Sequence, residues 1–275
     1  MFISIDFGIT NTDVLLKKEG ELIHVAIPSE GIPSDQFLLD LLDEIGESES
    51  EIKGIAVTGG HHQKLSSLVN GIPIIHVNEI EAIGEGGKEL GGVFDKPSIV
   101  VSAGSGTACV FSHNGEYIHC SGTGIGGGTI IGLSKLIINE HNPEKIQQLA
   151  ELGDHSNTDL ILSDVVTGPI GKLPSNSSAV NFGKINKINK KISTEDLAAG
   201  IVNMVCQTIT RISASASMAF DTKDLILVGR TCQFTALKDA FKQASRLTDL
   251  NIHFPSKGEY ASALGAMLIM QKKPQ

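Results

Sequence analysis

The chain has 275 residues, a formal net charge of -9, 41% hydrophobic residues and 19% charged residues. This length and balance are typical of a globular protein with a sizeable core and exclude an intrinsically disordered chain. The acidic net charge argues against a nucleic-acid-binding surface, and no stretch approaches the roughly 20 apolar residues of a membrane-spanning helix.

The cysteines and the N-terminus indicate the compartment. The four cysteines are far apart and form no CxxC pair, so we expect them to be reduced and mostly buried. The N-terminus has no basic segment followed by a long apolar one, so we expect no signal peptide. Together these features predict a cytoplasmic protein.

Residues 1–95 read as an N-terminal domain that opens with a meander of three antiparallel strands. A helix capped by Ser34 follows, and strands then alternate with helices, which predicts a parallel portion of sheet. The predicted strands are residues 2–5, 14–16, 22–27, 53–58 and 73–77, and the predicted helices after the first are residues 61–69 and 79–90.

Residues 96–275 read as a second domain with the same order of strand, glycine loop, strand, turn and strand. Asn114-Gly115 predicts a two-residue hairpin turn, and Thr194 is the expected cap of a long helix that ends near Phe220. The predicted strands are residues 99–101, 107–111, 117–120, 225–228 and 251–254. Helices are predicted up to residue 138, over 143–153, and on both sides of the last strand, and residues 164–191 are expected to be irregular.

A glycine-containing turn follows the first strand. Gly8 lets the backbone approach a ligand closely, Thr10 and Thr12 offer hydroxyl groups, and the turn offers N–H groups that suit phosphate oxygens. Asp6, at the end of the strand, is suited to holding a metal-bound water. Taken alone, this segment is equally compatible with a plain hairpin and a capping aspartate.

A second glycine loop lies between two strands of the second domain and contains Gly104, Ser105, Gly106 and Thr107. Because it recurs at the start of a domain of similar architecture, we favour two loops that face each other across a cleft over two unrelated hairpins. Such a pair would grip a polyphosphate from both sides.

A third glycine run, with Gly124, Gly126, Gly127 and Gly128, opens a helix. Consecutive glycines destabilise a helix unless the backbone must approach another group closely, and a helix N-terminus favours anions. The chain has no GxxxxGK[ST] motif, and the run lies too far along the chain for a dinucleotide fingerprint.

Three glutamates, Glu79, Glu81 and Glu85, lie in one predicted helix. Glutamates in a first turn are usually partners of the helix dipole, but phosphoryl transfer to an alcohol needs a carboxylate that takes the hydroxyl proton. Glu79, directly after a strand, is the best-placed candidate. His61 and His62 are predicted to form a surface turn rather than a metal site, because no acidic or cysteine partner lies at ligand spacing.

Taken together, these segments resemble the type II pantothenate kinases over nearly the whole chain. The matching segments are IDFGIT, VTGG, NEIEA, AGSGT, SGTGIGGGTIIGL, ELGDHSNTDL, NFG, LVGR and YASALGAM. The resemblance implies an α/β protein with two ribonuclease H-like domains of the actin-like ATPase superfold and a nucleotide cleft between them. It also implies ATP and Mg²⁺ as cofactors, pantothenate as the substrate, and a homodimer to which residues 194–220 contribute.

The same resemblance assigns roles to individual residues. Glu79 falls at the catalytic base, Asp6 falls where the family organises magnesium, and His119, Thr123 and Ala108 fall at the substrate site. The nucleotide-binding positions are Asp6, Gly8, Thr10, Thr12, Gly104, Ser105, Gly106, Thr107, Gly124, Gly126, Gly127, Gly128 and Gly229.

The chain departs from the family pattern at three positions. Asp13 stands where the family has a lysine in GGTxxK, which replaces a phosphate-facing positive charge by a negative one. His119 stands for an arginine that lines the substrate site, and Ala108 stands for a serine. A carboxylate-bearing substrate would lose a charge-assisted contact at His119 unless the histidine is protonated.

Two alternatives remain open on this evidence. TNTDVLL is similar to the GGGTKTD opening of the amino-sugar kinases and BadF-type ATPases, which would change the acceptor but keep ATP and the carboxylate base. Asp13 and His119 are also compatible with a protein that senses a nucleotide or an acyl-CoA after losing catalysis.

Overall fold

Two large sheets of like topology form the framework of the protein, which we describe from a computed structural model. The description covers residues 1–48, 51–168, 171, 173–187, 189 and 191–272. The strands are β1 (Phe2–Phe7), β2 (Asn11–Lys18), β3 (Glu21–Pro28), β4 (Gly54–Gly59), β5 (Leu68–Val69), β6 (Ile72–His76), β7 (Ser98–Ala103), β8 (Thr107–His113), β9 (Glu116–Thr123), β10 (Leu160–Ile161), β11 (Ser178–Val180), β12 (Asp224–Val228) and β13 (Asn251–His253). The helices are α1 (Asp35–Glu44), α2 (Glu79–Gly91), α3 (Gly127–Ile138), α4 (Pro143–Leu152), α5 (Leu162–Val165), α6 (Thr194–Ala219), α7 (Thr235–Thr248) and α8 (Ala261–Lys272).

The two sheets repeat one strand order. The first runs β3-β2-β1-β4-β6-β5 and the second β13-β12-β7-β8-β9. Each sheet begins with a meander of three antiparallel strands. In the first sheet, the first strand of the meander, β1, is followed by the parallel strands β4 and β6. In the second sheet, β7 is followed in the same way by the parallel strands β12 and β13. The predicted repeat of architecture and the predicted α/β class are therefore confirmed.

Local signals in the sequence place most of the turns and caps. The Ser34 hydroxyl accepts a hydrogen bond from the Phe37 N–H at 3.1 Å, as expected for the cap of α1. Asn114 and Gly115 both have positive φ, 49° and 78°, which is the backbone of a type I′ hairpin. The long helix α6 is capped by Ser193 and not by Thr194, because the Ser193 hydroxyl accepts from the Asp196 N–H at 3.1 Å.

The predicted helix over residues 61–69 is wrong. Only His62–Lys64 form a single 3-10 turn, and the chain is extended again at Leu65. Strands β5 and β6 then pair through Asn70-Gly71, whose φ angles are 46° and 80°. The Asn-Gly pair is a strong hairpin signal, and the hairpin requires extended chain on both sides of it.

Two helices cross between the sheets. Helix α8 packs on β1 and β4 of the first sheet, whereas α2 packs on β7, β8, β9 and β12 of the second, and the two helices lie against each other. A Cβ atom on Gly86 would lie 1.8 Å from the Ala261 carbonyl oxygen, and one on Gly265 would lie 1.9 Å from that of Ala82. The predicted unit 96–275 thus contains a final helix that packs on the first sheet.

Candidate active site

The carboxyl ends of strands from both sheets meet at one cleft. Strands β1, β4 and β6 end there from the first sheet, and β7, β9 and β12 end there from the second. The hydroxyl groups of Thr10 and Ser105, one in each glycine loop, lie 2.7 Å apart. The two loops therefore face each other directly, as the sequence predicted.

Gly8 and Ser29 shape the first loop. A Cβ atom on Gly8 would lie 2.5 Å from the Asn11 carbonyl oxygen, so the turn needs glycine here. The Ser29 hydroxyl donates to the Gly8 carbonyl oxygen at 2.6 Å and lies 3.1 Å from the hydroxyl of Thr12. Thr12 is buried, and its hydroxyl contacts Ser29 rather than opening into the cleft, so the structure does not place it with the other candidate ligands.

The glycine run packs against the second loop. A Cβ atom on Gly126 would lie within 2.6–2.8 Å of the carbonyl oxygens of Gly104, Ser105 and Gly106. The N–H groups of Gly127 and Gly128 donate to the carbonyls of Gly104 and Ser105, at 2.8 and 3.0 Å. The close approach expected of this run is thus made to the second loop, and the first amides of α3 are already satisfied.

Other positions in the two loops and in the glycine run remain open. Gly124 has no atom within 4 Å of the position its Cβ would take. The backbone N–H groups of Ile9 and Thr10 in the first loop, and of Ser105 and Gly106 in the second, donate to no described residue. Backbone N–H groups that converge in this way are a common binding site for phosphate oxygens.

Thr107 and Gly229 fix the shape of the second loop. The Thr107 hydroxyl donates to the Ile125 carbonyl oxygen at 2.8 Å, which ties the loop to the glycine run. Gly229 has a φ of +94°, and a Cβ atom there would lie 2.4 Å from the Ala103 carbonyl oxygen. Both residues therefore shape the loop rather than present a group to the cleft.

Asp6 and Glu79 are the carboxylates at this edge of the first sheet. Burial, followed by the negative charges of Glu79 and Asp13, raises the pKa of Asp6 from 3.8 to about 7, and a hydrogen bond from Ser262 opposes this rise. Glu79 begins α2, is exposed, and accepts no hydrogen bond from a described side chain. The influence of Glu79 on Asp6 shows that the two carboxylates lie close together.

The other two glutamates of α2 differ from Glu79. Glu85 accepts hydrogen bonds from the Tyr117 hydroxyl and from the Lys272 ammonium, so it joins α2 to β9 and to α8. Glu81 is exposed, and its charge contributes to the raised pKa of Tyr117 after burial and Glu85. The structure therefore leaves Glu79 as the candidate base.

Asp13 does not face a phosphate position as a free charge. Its carboxylate accepts two hydrogen bonds from Arg230, at 2.8 and 2.5 Å, and one from His24 Nε2 at 2.6 Å. Burial opposes ionisation of Asp13, but these hydrogen bonds and the two cations hold its pKa below the usual value. The expectation of an exposed negative charge at this position is replaced by a buried ion pair.

The three candidate substrate residues lie on β8 and β9. Ala108 pairs with Gly122, and Thr123 ends β9, where its hydroxyl accepts from the Ile125 N–H at 3.2 Å. His119 is exposed, and its Nε2 would lie 3.1 Å from a Cβ atom on Gly122. His119 is two residues from Tyr117, so both side chains point to the face of β9 that α2 covers.

His61 and His62 lie at the turn after β4 and differ in their burial. His62 is buried, where its Nδ1 contacts the Gly59 carbonyl oxygen at 2.7 Å and its ring packs on His76, so the prediction of a surface turn is wrong for His62. Over the ranges that the structure describes, no group of three or more histidine, cysteine or acidic residues is placed to hold a metal ion.

Sequence reasoning missed Arg230 and Ser262 as site residues. Both lie in segments that carry the resemblance, LVGR and YASALGAM, yet their partners Asp13 and Asp6 are more than 200 positions earlier in the chain. Ser29, which holds the first loop, was missed as well. The motifs that contain Arg230 and Ser262 were the signal available in the sequence, but only the folded structure shows which residues they contact.

Comparisons with known proteins agree with this geometry. The sequence profile of the Fumble family matches residues 92–269. A type II pantothenate kinase of Bacillus cereus (strain G9842) is 29% identical over 81% of this chain and 83% of its own length. One from Bacillus anthracis is 28% identical over 98% of both chains.

Solved structures show the same fold. The activator of the 2-hydroxyisocaproyl-CoA dehydratase from Clostridium difficile, with bound ADPNP, gives a TM-score of 0.65 at 17% identity and covers 100% of this chain and 98% of its own. A ROK family glucokinase from Streptomyces griseus, with glucose and AMPPNP, gives 0.62 at 12% identity, with 98% and 100% covered. These likenesses confirm the predicted actin-like ATPase fold. Its two facing loops, its carboxylates and the matched profile together lead to one conclusion: the chain belongs to the Fumble family, that of the type II pantothenate kinases, and is a phosphotransferase.

Proposed function

We propose that this protein is an ATP-dependent kinase that phosphorylates the primary hydroxyl of pantothenate, the first step of coenzyme A biosynthesis. The observation that carries this proposal is the meeting of two phosphate-type loops beside Asp6 and Glu79. Thr10 and Ser105 touch across the cleft, and each loop has backbone N–H groups that donate to no described residue. Family membership and the pantothenate kinases of Bacillus support the same reaction.

The residues present fit ATP with Mg²⁺. Magnesium keeps several waters and is usually held by one or two carboxylates together with substrate phosphates, so a cluster of three protein ligands is not needed. Asp6 supplies one such carboxylate, and a cation would favour its ionised form against the burial that raises its pKa. When bound, Mg²⁺ would neutralise charge on the phosphates, and Asp6 would orient its water shell.

Glu79 is placed to accept the hydroxyl proton of the acceptor. Its carboxylate is free of hydrogen bonds in the described structure and lies close enough to Asp6 to influence that group. Positioning of the hydroxyl in line with the γ-phosphate, and not the base alone, supplies most of the acceleration in such a reaction.

The acceptor would lie between Glu79 and the side chain of His119 on β9. His119, when protonated, can donate to the pantothenate carboxylate. A histidine in place of an arginine has fewer donors for a carboxylate and no planar fork.

We also propose that the protein is a homodimer and works in the cytoplasm. In α6 the exposed side chains Arg211, Ser215 and Met218 lie at helical spacing on one face, while 12 of the 26 residues of the helix are buried in its own protomer. The four cysteines are free thiols, as a reducing compartment requires. Among the helices that the structure describes, none is long and apolar enough to span a bilayer.

The test is a coupled assay of ADP release with Mg²⁺ and ATP against pantothenate, N-acetylglucosamine and related alcohols. We expect turnover with pantothenate and loss of at least 100-fold in kcat in Glu79→Gln, since general acid–base catalysis contributes about 10²- to 10⁴-fold. Nucleotide affinity should stay close to that of the wild type. Glu81→Gln, on the same helix and equally exposed, is the matched control and should retain activity.

The outcomes separate the alternatives. Turnover of an amino sugar without turnover of pantothenate would move the protein to the sugar kinases. Tight nucleotide binding without turnover of any alcohol would indicate a sensing protein. Full activity in Glu79→Gln would remove Glu79 from its role.

A further inference from the structure

The ion pair between Asp13 and Arg230 joins the two halves of the molecule at the cleft. Asp13 lies on β2 of the first sheet, directly opposite Asp6 in the ladder with β1. Arg230 follows β12 of the second sheet, and its two terminal nitrogens donate to the two oxygens of Asp13. The carboxylate is 5% exposed, whereas the arginine side chain is 33% exposed.

The segment that carries Arg230 is built onto the second phosphate loop. The Thr231 hydroxyl donates to the Gly104 carbonyl oxygen at 2.9 Å, and its oxygen would lie 2.7 Å from a Cβ atom on Gly127. The guanidinium therefore extends from the second loop toward the end of the first. It also lies within electrostatic reach of Asp6, since it opposes the rise in the pKa of that carboxyl.

The guanidinium of Arg230 has N–H donors that the ion pair with Asp13 does not use. A guanidinium carries five N–H groups, and the two bonds to Asp13 use two of them. The remaining three donate to no described residue, and the side chain as a whole is 33% exposed. If a ligand draws the guanidinium away, Asp13 keeps its bond to His24, whose ring is held by the Tyr260 ring at a centroid distance of 4.8 Å. Removal of Arg230 from the pair therefore does not leave Asp13 buried without a partner.

We propose that Arg230 is the cation that contacts the outer phosphates of a bound nucleoside triphosphate, with Asp13 as the positioning residue that holds it at the cleft. Asp13, at the position where the resemblance implied a lysine, therefore holds a cation that is supplied by the second sheet. The proposal rests on nucleotide binding in the cleft, and it does not depend on which alcohol is phosphorylated.

The test measures binding of AMPPNP and of AMP, each with Mg²⁺, to the full-length protein by calorimetry. Arg230→Ala should weaken AMPPNP binding by about 10- to 100-fold, which is the worth of charge-assisted hydrogen bonds to a phosphate, and should leave AMP binding within about twofold. Arg230→Lys keeps a charge without the planar fork and should fall between. Arg246→Ala, at an exposed arginine of α7, is the control.

Two further variants separate phosphate contact from a purely structural bridge. Asp13→Asn keeps the guanidinium and should hold AMPPNP affinity within about threefold of the wild type. Asp13→Lys combined with Arg230→Ala moves the cation back to β2 and should recover at least tenfold of the affinity lost in Arg230→Ala. A structural bridge alone predicts instead that Asp13→Asn and Arg230→Ala weaken AMP and AMPPNP binding alike.

Each outcome decides the proposal. AMPPNP affinity that is unchanged in Arg230→Ala, or equal losses for AMP and AMPPNP, would overturn the role of Arg230 while leaving the kinase assignment in place. Failure of the wild-type protein to bind AMPPNP would overturn both. If Arg230→Ala unfolds, as a thermal melt would reveal, Arg230→Lys and the double variant carry the decision.

Discussion

The carboxyl group of Asp6 should make the protein less stable at neutral pH than in mild acid. Its pKa lies at about 7 in the folded protein and near 3.8 when unperturbed, because burial and the charges of Glu79 and Asp13 disfavour the ionised form. Between these two values the folded state holds a proton that the unfolded state has lost. The contribution of Asp6 to the free energy of unfolding is therefore fully present below pH 4. It falls as the pH rises toward 7 and no longer changes above that pH.

Asp6→Asn removes this penalty. At 1.36 kcal/mol per pH unit, the difference between the two pKa values is worth about 4 kcal/mol at pH 8 as an upper limit. The loss of the preferred hydrogen bond to Ser262 subtracts about 1 kcal/mol. The variant should thus be more stable than the wild type by roughly 2–3 kcal/mol at pH 8 and no more stable at pH 4.

The assay is urea unfolding without Mg²⁺ or nucleotide at pH 4 and pH 8, read as the free energy of unfolding of each variant. Asp43→Asn, an exposed carboxylate at the end of α1, is the control and should change stability by less than about 0.5 kcal/mol at either pH. The reasoning is refuted if Asp6→Asn is no more stable than the wild type at pH 8, or if its advantage is the same at both pH values.

Two further predictions follow from packing and from exposure. Gly126→Ala would place a methyl group against three carbonyl oxygens of the second loop and should cost about 1–3 kcal/mol in urea unfolding and weaken AMPPNP binding, whereas Gly124→Ala, with open space around it, should leave the free energy of unfolding unchanged; equal losses of stability would contradict the packing argument. Met218→Glu should convert the dimer to a monomer in analytical ultracentrifugation if the exposed face of α6 forms the interface, while Lys135→Glu on α3 should leave the dimer intact; a dimeric Met218→Glu variant would place the interface elsewhere.

Much of the fold could be predicted from the sequence because its signals are local. The meander, the Asn114-Gly115 hairpin and the cap at Ser34 each depend on neighbouring residues, and the structure confirms them. The error at residues 61–69 was also local, since the prediction of a helix there did not use the Asn70-Gly71 turn signal.

The site was predictable in part. The glycine loops and Glu79 were identified because glycines at strand ends and a carboxylate after a strand are visible along the chain. The partners of Asp6 and Asp13 were not, because Ser262 and Arg230 reach them only once α8 has crossed to the first sheet and β12 has paired with β7. Pairing of this kind depends on tertiary structure and leaves no periodic pattern in the sequence.

The proposed kinase function requires that the two loops close on one triphosphate and that Glu79 lies beside the acceptor. A crystal structure with Mg²⁺, AMPPNP and pantothenate tests this claim directly. We expect the phosphates between the Gly8–Thr10 turn and the Gly104–Gly106 loop, and the pantothenate hydroxyl at hydrogen-bonding distance, about 3 Å, from the Glu79 carboxylate. Phosphates that contact only one of the loops, or a Glu79 side chain directed away from the hydroxyl, would contradict it.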